Sequence, residues 1–433
     1  ITVNIAPADV RKEGSGYDLP LALGLLAGAE VIDQRKLSGL YLAGELSLSG
    51  ELKPVPGVLP LALRAREAGA RGMIVPEANG REAAVVQGLP VFACKSLAQV
   101  VRFVLGEESL DPLVCDVAGL WAERERFWRD FSEVKGQERA KRAIEIACAG
   151  NHNLLFIGPP GSGKTMLSSR IPTVLPSLTF DEALEVTKIY SVAGKLPAEQ
   201  PLVVTRPFRS PHHTISDAGL IGGGHYPRPG ELSLAHRGVL FLDELPEFKK
   251  HVLEVLRQPL EEGRVTISRA AVSLEYPGDV MLVAAMNPCP CGYLGDEKHH
   301  CSCTPIQIQR YRSRLSGPLL DRIDLHVEVP AVPYRDLKQE QGSISSAVMQ
   351  GRINAARAVQ RERYAGLHFS SNSELSGKWL ERFCPLTAHE HDFLEGAVQL
   401  LGMSARAFVR VLRISRTIAD LAGDDTLTVT HLA

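Results

Sequence analysis

The stretch "NLLFIGPPGSGKTMLSSRI", residues 153–171, decides the fold class of this chain. An apolar run comes first, a glycine-rich loop follows, and the residues after the loop have a helical pattern. Gly158, four intervening residues and then Gly163-Lys164-Thr165 match the P-loop pattern. Glycines let backbone N–H groups point inward at phosphate oxygens, and a helix N-terminus adds its positive dipole end. The stretch predicts a strand, a phosphate-binding loop and a helix.

The loop itself supplies the predicted nucleotide contacts. Lys164 is expected to reach the β- and γ-phosphates, and Thr165 is expected to bind Mg²⁺. The alternative is a chance glycine-rich turn, which the strand before the loop and the helix after it disfavour. The predicted cradle consists of Gly158, Pro159, Pro160, Gly161, Ser162, Gly163, Lys164 and Thr165.

Two further strand-like runs end in polar residues. "GVLFL" is followed by Asp243 and Glu244, and "VMLVAAM" is followed by Asn287. We expect Asp243 to hold Mg²⁺ through water, Glu244 to polarise the attacking water, and Asn287 to touch the γ-phosphate or that water. An acidic strand cap and an Asn in a strand-ending turn are the alternatives. Polar residues at the C-terminal ends of strands predict an open parallel sheet with its site along that edge.

Length and charge bound the remaining possibilities. The chain has 433 residues, 45% of them hydrophobic and 23% charged, with a formal net charge of -2. These values predict two or three soluble domains and exclude a bulk polycation, so any nucleic-acid contact must come from local patches or a pore. No apolar run approaches the roughly 18 residues that a membrane span needs, and a cytoplasmic location is expected.

The sequence divides into segments of different pattern. Residues 1–108 alternate short apolar runs with helical patterns, which predicts a small α/β or α+β domain. Residues 109–128 have the pattern of a linker, residues 129–335 that of the P-loop core, and residues 336–433 that of a helical domain. Within the core, a helix is predicted at "QERAKRAIEIACAG", with Gly150 as its C-terminal cap.

Longer motifs resemble a known family. "DFSEVKGQERAKRAIEIACAGNHNLLFIGPPGSGKT", "FRSPHHTISDAGLIGGGHYPRPGELSLAHRGVLFLDELPEF" and "RSRLSGPLLDRIDLHVEVP" resemble the magnesium-chelatase-like branch of the AAA+ ATPases, specifically the YifB/ComM family. The resemblance implies a P-loop parallel sheet with helices on both faces, a C-terminal helical lid, ATP and Mg²⁺ as cofactors, and a hexameric ring. It also implies a DNA branch-migration helicase in recombination, including integration of incoming DNA in natural transformation.

The same resemblance implies roles for two arginines. Arg322 in "GPLLDRID" matches the position of an arginine that a neighbouring subunit contributes to bound ATP. Such a cation neutralises charge that develops on the γ-phosphate. Arg406 in "MSARAFVRVL" matches the second sensor arginine of the lid, and Ser404 is predicted to cap the helix that carries it. A surface salt bridge is the alternative for either arginine.

The segment "DAGLIGGGHYPRPGE" resembles the helix-2 insertion that projects into the channel of related rings. His225, Tyr226 and Arg228 are therefore candidates to contact a nucleic-acid backbone and to stack on bases. A surface loop that packs between subunits is an equal alternative. Upstream, His212 and His213 are expected to form hydrogen bonds in a structured turn, without a catalytic role.

Half of the eight cysteines lie close together in "NPCPCGYLGDEKHHCSC". Two C-x-C pairs could hold one structural Zn²⁺, with His299 and His300 as substitute ligands. Four reduced cysteines in a loop are the alternative, since structural sites more often use C-x₂-C spacing. The candidate zinc ligands are Cys289, Cys291, Cys301 and Cys303.

The N-terminal segment resembles the Lon protease domain, in "RKEGSGYDLPLALGLLAG" and "LAGELSLSGELKPVPGVLPLALRAREAGARGMIVPEAN". By this alignment Ser15 is one position early for the nucleophile, and Leu59 stands where the lysine belongs. A serine without an adjacent base is inert, so the resemblance implies the fold without peptidase activity.

These observations favour an ATP-driven ring motor acting on DNA. A magnesium-chelatase motor subunit is the second interpretation. The Lon-like segment is expected to argue against it, because chelatase motor subunits lack a Lon-like domain. A remodeller of protein partners is the third.

Overall fold

A computed structural model describes residues 15–122, 129–197, 199–224, 227–268, 273–296, 299–333 and 344–433. The strands are β1 Leu40–Leu42, β2 Glu45–Leu46, β3 Leu52–Lys53, β4 Gly72–Pro76, β5 Val91–Cys94, β6 Leu154–Ile157, β7 Phe208–Arg209, β8 Gly222–Gly223, β9 Arg228–Pro229, β10 Val239–Leu242, β11 Arg264–Ser268, β12 Ser273–Pro277, β13 Met281–Met286 and β14 Leu325–Glu328.

The helices are α1 Asp18–Gly28, α2 Gln34–Leu37, α3 Val58–Glu67, α4 Glu77–Ala84, α5 Leu97–Leu105, α6 Val117–Ala122, α7 Glu138–Gly150, α8 Lys164–Ser168, α9 Phe180–Val192, α10 Asp217–Leu220, α11 Glu231–Leu234, α12 Lys250–Glu254, α13 Pro259–Glu262, α14 Pro305–Arg312, α15 Gly317–Leu320, α16 Ser346–Arg363, α17 Lys378–Phe383, α18 Ala388–Leu401, α19 Ala405–Ala422 and α20 Val429–Leu432. None of the helices in these described ranges is long and apolar enough to cross a membrane.

The described residues form two compact units. The first combines residues up to 125 with residues 179–205, and the second combines residues 126–178 with residues 206–433. Residues 179–205, which include α9, therefore pack with the first unit although the sequence pattern placed them in the P-loop core. The predicted linker contains the short helix α6.

The first unit is a small mixed α/β structure. Its parallel sheet has the order β1-β4-β5, and β2 pairs with β3 in an antiparallel ribbon. β4 is buried along its whole length, as is typical of a central strand in a parallel sheet. Leu19 and Leu23 of α1 pack in one apolar core with Ile74 of β4 and Val100 of α5.

A parallel sheet of five strands organises the second unit, in the order β14-β6-β13-β10-β7. The strand that precedes the P-loop, β6, lies between β13 and β14. β10 lies between β13 and β7. This arrangement confirms the predicted strands and brings the ends of β6, β10 and β13 to one edge of the sheet.

Alternate residues of each strand face opposite sides of the sheet. Leu154 and Phe156 of β6 belong to one apolar core, together with residues of α7 and α16. Leu155 belongs to a second core, together with residues of α12 and α15. Because both faces are covered, these strands read as continuous apolar runs. The prediction of helices on both faces is confirmed.

The C-terminal cap of α7 differs from the prediction. Gly150 is the last helical residue, and Asn151, with φ 59°, is the left-handed cap residue whose N–H bonds to Ala147. A Cβ on Gly150 would lie 2.1 Å from His152 Nε2 and 2.5 Å from Thr417 Oγ1. Gly150 is therefore required for close packing against α19, and Asn takes the left-handed position because its short polar side chain tolerates it.

The C-terminal helices form their own apolar core, to which Leu380, Leu394 and Leu412 belong. A buried carboxylate joins three of its segments. Asp420 accepts hydrogen bonds from Arg363 at 2.6 and 2.9 Å, from Arg416 at 3.0 Å and from Asn372 at 2.8 Å. Two arginines and an amide satisfy this carboxylate, as a buried charge requires.

Candidate nucleotide site and cysteine cluster

The P-loop connects β6 to α8 and has little room for side chains. A Cβ on Gly158 would lie 2.1 Å from the carbonyl oxygen of Val329, which follows β14. Gly161 and Gly163 have φ of 75° and 94°, where only glycine is unstrained. The three glycines thus hold a curved backbone whose shape fits the predicted phosphate cradle.

Gln137 is a residue of this site that the sequence pattern does not reveal. It lies just before α7 with φ 59°, and its Nε2 donates to Ser162 O at 3.2 Å and to Pro330 O at 2.6 Å. One side chain therefore fastens the P-loop to the segment that follows β14. The only sequence signal was "KGQ", in which both Gly136 and Gln137 adopt positive φ.

Lys164 is buried at the start of α8. Its Nζ donates to Gly158 O at 2.7 Å, to Pro159 O at 2.9 Å and to Asn287 Oδ1 at 3.2 Å. Burial lowers the pKa of Lys164 below its usual range, and the nearby Asp243 carboxylate acts in the opposite direction. The structure thus joins two predicted site residues, Lys164 and Asn287, across the edge of the sheet.

Thr165 and Asp243 meet at the same edge. Thr165 Oγ1 donates to Asp243 Oδ2 at 2.7 Å, and the other carboxylate oxygen accepts from Glu244 N at 2.9 Å. A hydroxyl and a carboxylate are the oxygen ligands that Mg²⁺ uses together with water and phosphate. These two residues, which lie 78 positions apart in the sequence, fit the predicted magnesium site.

Glu244 has an unusual backbone and an unexpected neighbour. Its φ is 52°, a left-handed conformation that is uncommon for a residue other than glycine and is often found at functional sites. Its side chain is 59% exposed, and its Oε2 lies 3.3 Å from His213 Nδ1. The sequence predicts for His213 only hydrogen bonds in a structured turn and no catalytic role, whereas the structure places it against the candidate base.

His212 behaves as the sequence predicted. Its Nδ1 is 2.9 Å from Thr214 Oγ1, within a turn, and its ring lies 4.1 Å from that of His213.

Arg322 is held by its own chain. Its Nε donates to Arg257 O at 2.9 Å, its Nη1 donates to Pro318 O at 2.7 Å, and its Nη2 pairs with Glu261. These contacts leave 17% of the side chain exposed beside a cavity of about 460 Å³. None of these contacts involves the P-loop residues described above.

Arg406 lies in the first turn of α19, and the predicted cap is confirmed because Ser404 Oγ accepts from Ala407 N at 3.2 Å. The Arg406 side chain is 64% exposed, and its Nη1 lies 3.7 Å from Asp321 Oδ2. Asp321 directly precedes Arg322, so the structure brings both predicted arginines to the short segment 318–322.

The candidate pore element forms a hairpin of β8 and β9, in which Gly223 pairs with Arg228. Arg228 is exposed. The hairpin rests on a second one, β11–β12, since Tyr276 OH donates to Pro227 O at 2.9 Å and a Cβ on Gly222 would lie 2.9 Å from Ile267 Cδ1. His225 and Tyr226 lie outside the described residues.

The four clustered cysteines converge, and their sulfur atoms all lie within 4.8 Å of one another. The sulfurs of Cys289, Cys291 and Cys301 are 3.4 to 3.7 Å apart, and Cys303 Sγ accepts from Cys291 N at 3.3 Å. The backbone N–H of Tyr293 lowers the pKa of Cys291 to about 6. Four such sulfurs suit a tetrahedral zinc site.

The neighbouring histidine is engaged elsewhere. His299 Nδ1 lies 3.1 Å from Asp296 Oδ1, and the metal-competent group identified in the described part of the chain contains cysteines only.

The five-stranded parallel sheet, the glycine-rich loop before α8 and the Thr165–Asp243 pair together define a P-loop ATPase of the AAA+ type. Comparison with known proteins gives the family. Models described as "Magnesium chelatase, subunit ChlI", "Subunit ChlI of Mg-chelatase" and "Magnesium chelatase, subunit ChlI C-terminal" match residues 130–337, 1–79 and 343–433.

Relatives cover the whole chain. The chain is 44% identical to "Competence protein ComM" of Haemophilus influenzae over 439 residues, which is 100% of this chain and 84% of the relative. It is 44% identical to "Uncharacterized protein YifB" of Escherichia coli over 434 residues, 100% of this chain and 83% of the relative. The "Magnesium-chelatase 38 kDa subunit" of Cereibacter sphaeroides is 26% identical over 252 residues, 53% of this chain and 72% of the relative. The chain belongs to the YifB/ComM family of magnesium-chelatase-like AAA+ ATPases.

Proposed function

We propose that this chain is the subunit of a ring-shaped motor, a hexamer, that uses ATP hydrolysis to drive branch migration of DNA during recombination. The observation that carries the proposal is the 44% identity to a competence protein over the entire chain. The assembled P-loop edge supports the ATPase step, and competence links the motor to integration of incoming DNA.

The residues at the sheet edge divide the work of ATP hydrolysis. The P-loop N–H groups and Lys164 bind the phosphates, while Thr165 and Asp243 hold Mg²⁺. Bound Mg²⁺ supplies positive charge that neutralises the charge developing on the phosphates. Glu244 orients the attacking water and accepts its proton, with His213 Nδ1 placed to position the Glu244 carboxylate.

One of the two arginines completes the site from a second copy of the chain. Arg322 would approach the γ-phosphate bound by a neighbour, which is the step that makes a ring necessary. Arg406 lies 3.7 Å from Asp321, which directly precedes Arg322. In this position Arg406 would couple the presence of bound nucleotide to the position of the C-terminal helical lid. Each copy would then move against its neighbour as ATP is cleaved.

The hairpin β8–β9 is the proposed DNA contact. Arg228 is exposed on it, and three successive glycines with φ of 109°, 138° and 101° precede its tip. With a net charge of -2, binding of polyanionic DNA must rely on such local cations. His225 and Tyr226, which follow these glycines in the sequence, remain candidates for base stacking.

The first unit is proposed to be a Lon-like domain without peptidase activity. Leu59 is fully buried in α3, and its backbone N–H donates to Glu82 Oε1 at 3.0 Å. An apolar side chain at this position cannot act as a base toward Ser15. The unit is proposed to assist assembly or DNA contact.

The test is ATP hydrolysis with and without four-way junction DNA. We expect the junction to stimulate ATP hydrolysis by the wild-type chain, and we expect the wild-type chain to unwind the junction. The Glu244→Gln variant should show neither stimulated hydrolysis nor unwinding. Arg228→Ala should weaken junction binding about tenfold. Arg361→Ala is the control, because Arg361 is also exposed but lies on α16, and this variant should bind the junction as tightly as the wild type. Failure of the wild-type chain to bind junction DNA at moderate salt would overturn the DNA role.

A magnesium-chelatase motor is the alternative. The N-terminal region was expected to argue against a chelatase motor, but it does not. The family model that matches residues 1–79 is itself described as a chelatase subunit. The chelatase relative matches 53% of the chain and the competence relative 100%, which favours the DNA motor. ATP-dependent insertion of Mg²⁺ into a porphyrin with partner subunits, at a rate above a partner-only control, would favour the alternative.

A further inference from the structure

The cysteine cluster lies directly against the P-loop. Gly292 follows Cys291, one of the four clustered cysteines, and a Cβ on Gly292 would lie 2.5 Å from Pro160 Cδ and 2.8 Å from Pro160 Cγ. Pro160 stands in the middle of the phosphate loop. The backbone of the cysteine segment therefore forms part of the wall that holds the P-loop in place.

The cluster also fixes the conformation of this contact. Gly292 has φ 86°, and its N–H donates to the carbonyl oxygen of Cys289 at 3.0 Å. Two cysteines thus define the turn in which Gly292 lies. A metal that holds their sulfurs would remove the freedom of the turn, because structural zinc binding supplies folding free energy.

A second connection runs through Asn287. This residue lies two positions before Cys289, and its Oδ1 accepts from Lys164 Nζ at 3.2 Å. A Cβ on Gly292 would also lie 3.8 Å from Asn287 Cγ. The cysteine segment therefore contacts the nucleotide site at two places, at Pro160 of the P-loop and at Asn287, the hydrogen-bond partner of Lys164.

We propose that Zn²⁺ bound by the four cysteines positions the P-loop through the Gly292–Pro160 contact, and that zinc occupancy thereby sets the affinity for ATP. The proposal rests on the proposed function only in that ATP binds at the P-loop. Zinc takes no part in hydrolysis, because four protein sulfurs leave no open position on it. Gly292 and Pro160 are positioning residues.

Zinc removal from the full chain is the first test. The purified protein should contain about one zinc per chain, and a chelator selective for zinc over magnesium should remove it. The stripped chain, with its far-ultraviolet circular dichroism checked, should bind a fluorescent ATP analogue about tenfold more weakly, and added Zn²⁺ should restore the affinity. A wild-type chain without zinc, or a folded stripped chain with unchanged affinity, would contradict the proposal.

Two glycines of one loop supply a matched pair of variants. Gly292 and Gly295 both have positive φ, 86° and 81°, but a Cβ on Gly295 would have no atom of the described residues within 4 Å. Gly292→Ala should retain zinc and bind the ATP analogue about tenfold more weakly than Gly295→Ala, because only the first Cβ pushes on Pro160. Adding Pro160→Ala should recover part of this loss, which a double-mutant cycle measures.

The outcomes separate the two proposals. If the wild-type chain fails to bind the ATP analogue, the proposed ATPase function fails. If the wild type binds it but Gly292→Ala retains zinc and binds as tightly as Gly295→Ala, then transmission through Pro160 is wrong and the ATPase assignment is untouched.

Discussion

The phosphate edge and the arginine segment belong to the same unit, but their polar groups are satisfied differently. At the phosphate edge the predicted residues bond to one another, as Thr165 does to Asp243 at 2.7 Å and Lys164 to Asn287 at 3.2 Å. At the arginine segment, Arg322 bonds to Glu261 and to two backbone carbonyls that have no predicted part in catalysis.

This difference indicates which half of the site a single chain can assemble. The phosphate edge needs no second copy to bring its residues together. The arginine must exchange Glu261 for a phosphate if it acts on a neighbour. The Glu261 side chain is 65% exposed but that of Arg322 only 17%, and Arg322 also donates to two backbone carbonyls, so this exchange must replace more than a surface ion pair.

Removal of Arg322 has the largest expected effect on ATP hydrolysis. If it acts in trans, Arg322→Ala should lower ATP turnover about 1000-fold or more, because charge on the γ-phosphate is no longer neutralised. Nucleotide binding by the Lys164 edge should change far less. Steady-state hydrolysis and equilibrium binding of an ATP analogue measure the two effects separately.

Mixed assemblies decide between a trans role and a structural one. A ring of Arg322→Ala and Lys164→Ala subunits contains some sites with an intact P-loop facing an intact arginine, so part of the activity should return. Verified mixed rings without any recovery would show that Arg322 supports only its own chain.

Glu244→Gln tests the phosphate edge itself. The amide keeps the shape of the side chain but cannot accept a proton, so turnover should fall about 100-fold or more while ATP binding is retained. Single-turnover hydrolysis and analogue binding are the measurements. Near-normal hydrolysis would reject Glu244 as the base and leave Asp243 alone to organise the edge.

Much of the phosphate edge was predictable from the sequence because its signals are local. The spacing from Gly158 to Thr165 defines the loop, and polar residues after "GVLFL" and "VMLVAAM" mark strand ends. Strands that are separated by helices and end in polar residues then predict the open parallel sheet. The cap at Ser404 was equally local, since it lies within one turn of Ala407.

What the sequence could not predict depends on contacts between distant segments. His213 meets Glu244 and Gln137 meets Ser162 only because the fold brings their elements together. The Gly292–Pro160 contact is of the same kind. Residues 179–205 pack with the first unit because tertiary burial outweighs position along the chain.

His213→Ala tests whether His213 positions Glu244 at the phosphate edge. Loss of the partner 3.3 Å from Glu244 should lower turnover about tenfold and leave the affinity for ATP nearly unchanged. His251→Ala is the control, because His251 lies 3.2 Å from the exposed Asp217 in a similar ion-pair geometry. Equal turnover in the two variants would mean that the His213 contact has no part in positioning Glu244.

The smallest expected effect tests the arginine segment. Glu261→Gln removes the carboxylate that holds Arg322, so an arginine that must reach a neighbour becomes easier to release, and turnover in the assembled protein should rise by at most about fivefold. Glu247→Gln is the matched control, since it breaks an exposed pair with Arg314 at 2.8 Å. If Arg322 instead serves only to hold segment 318–322 in place, Glu261→Gln should lower the melting temperature without raising turnover. The sign of the change in turnover therefore distinguishes an arginine held ready for a second copy from one that stabilises its own chain.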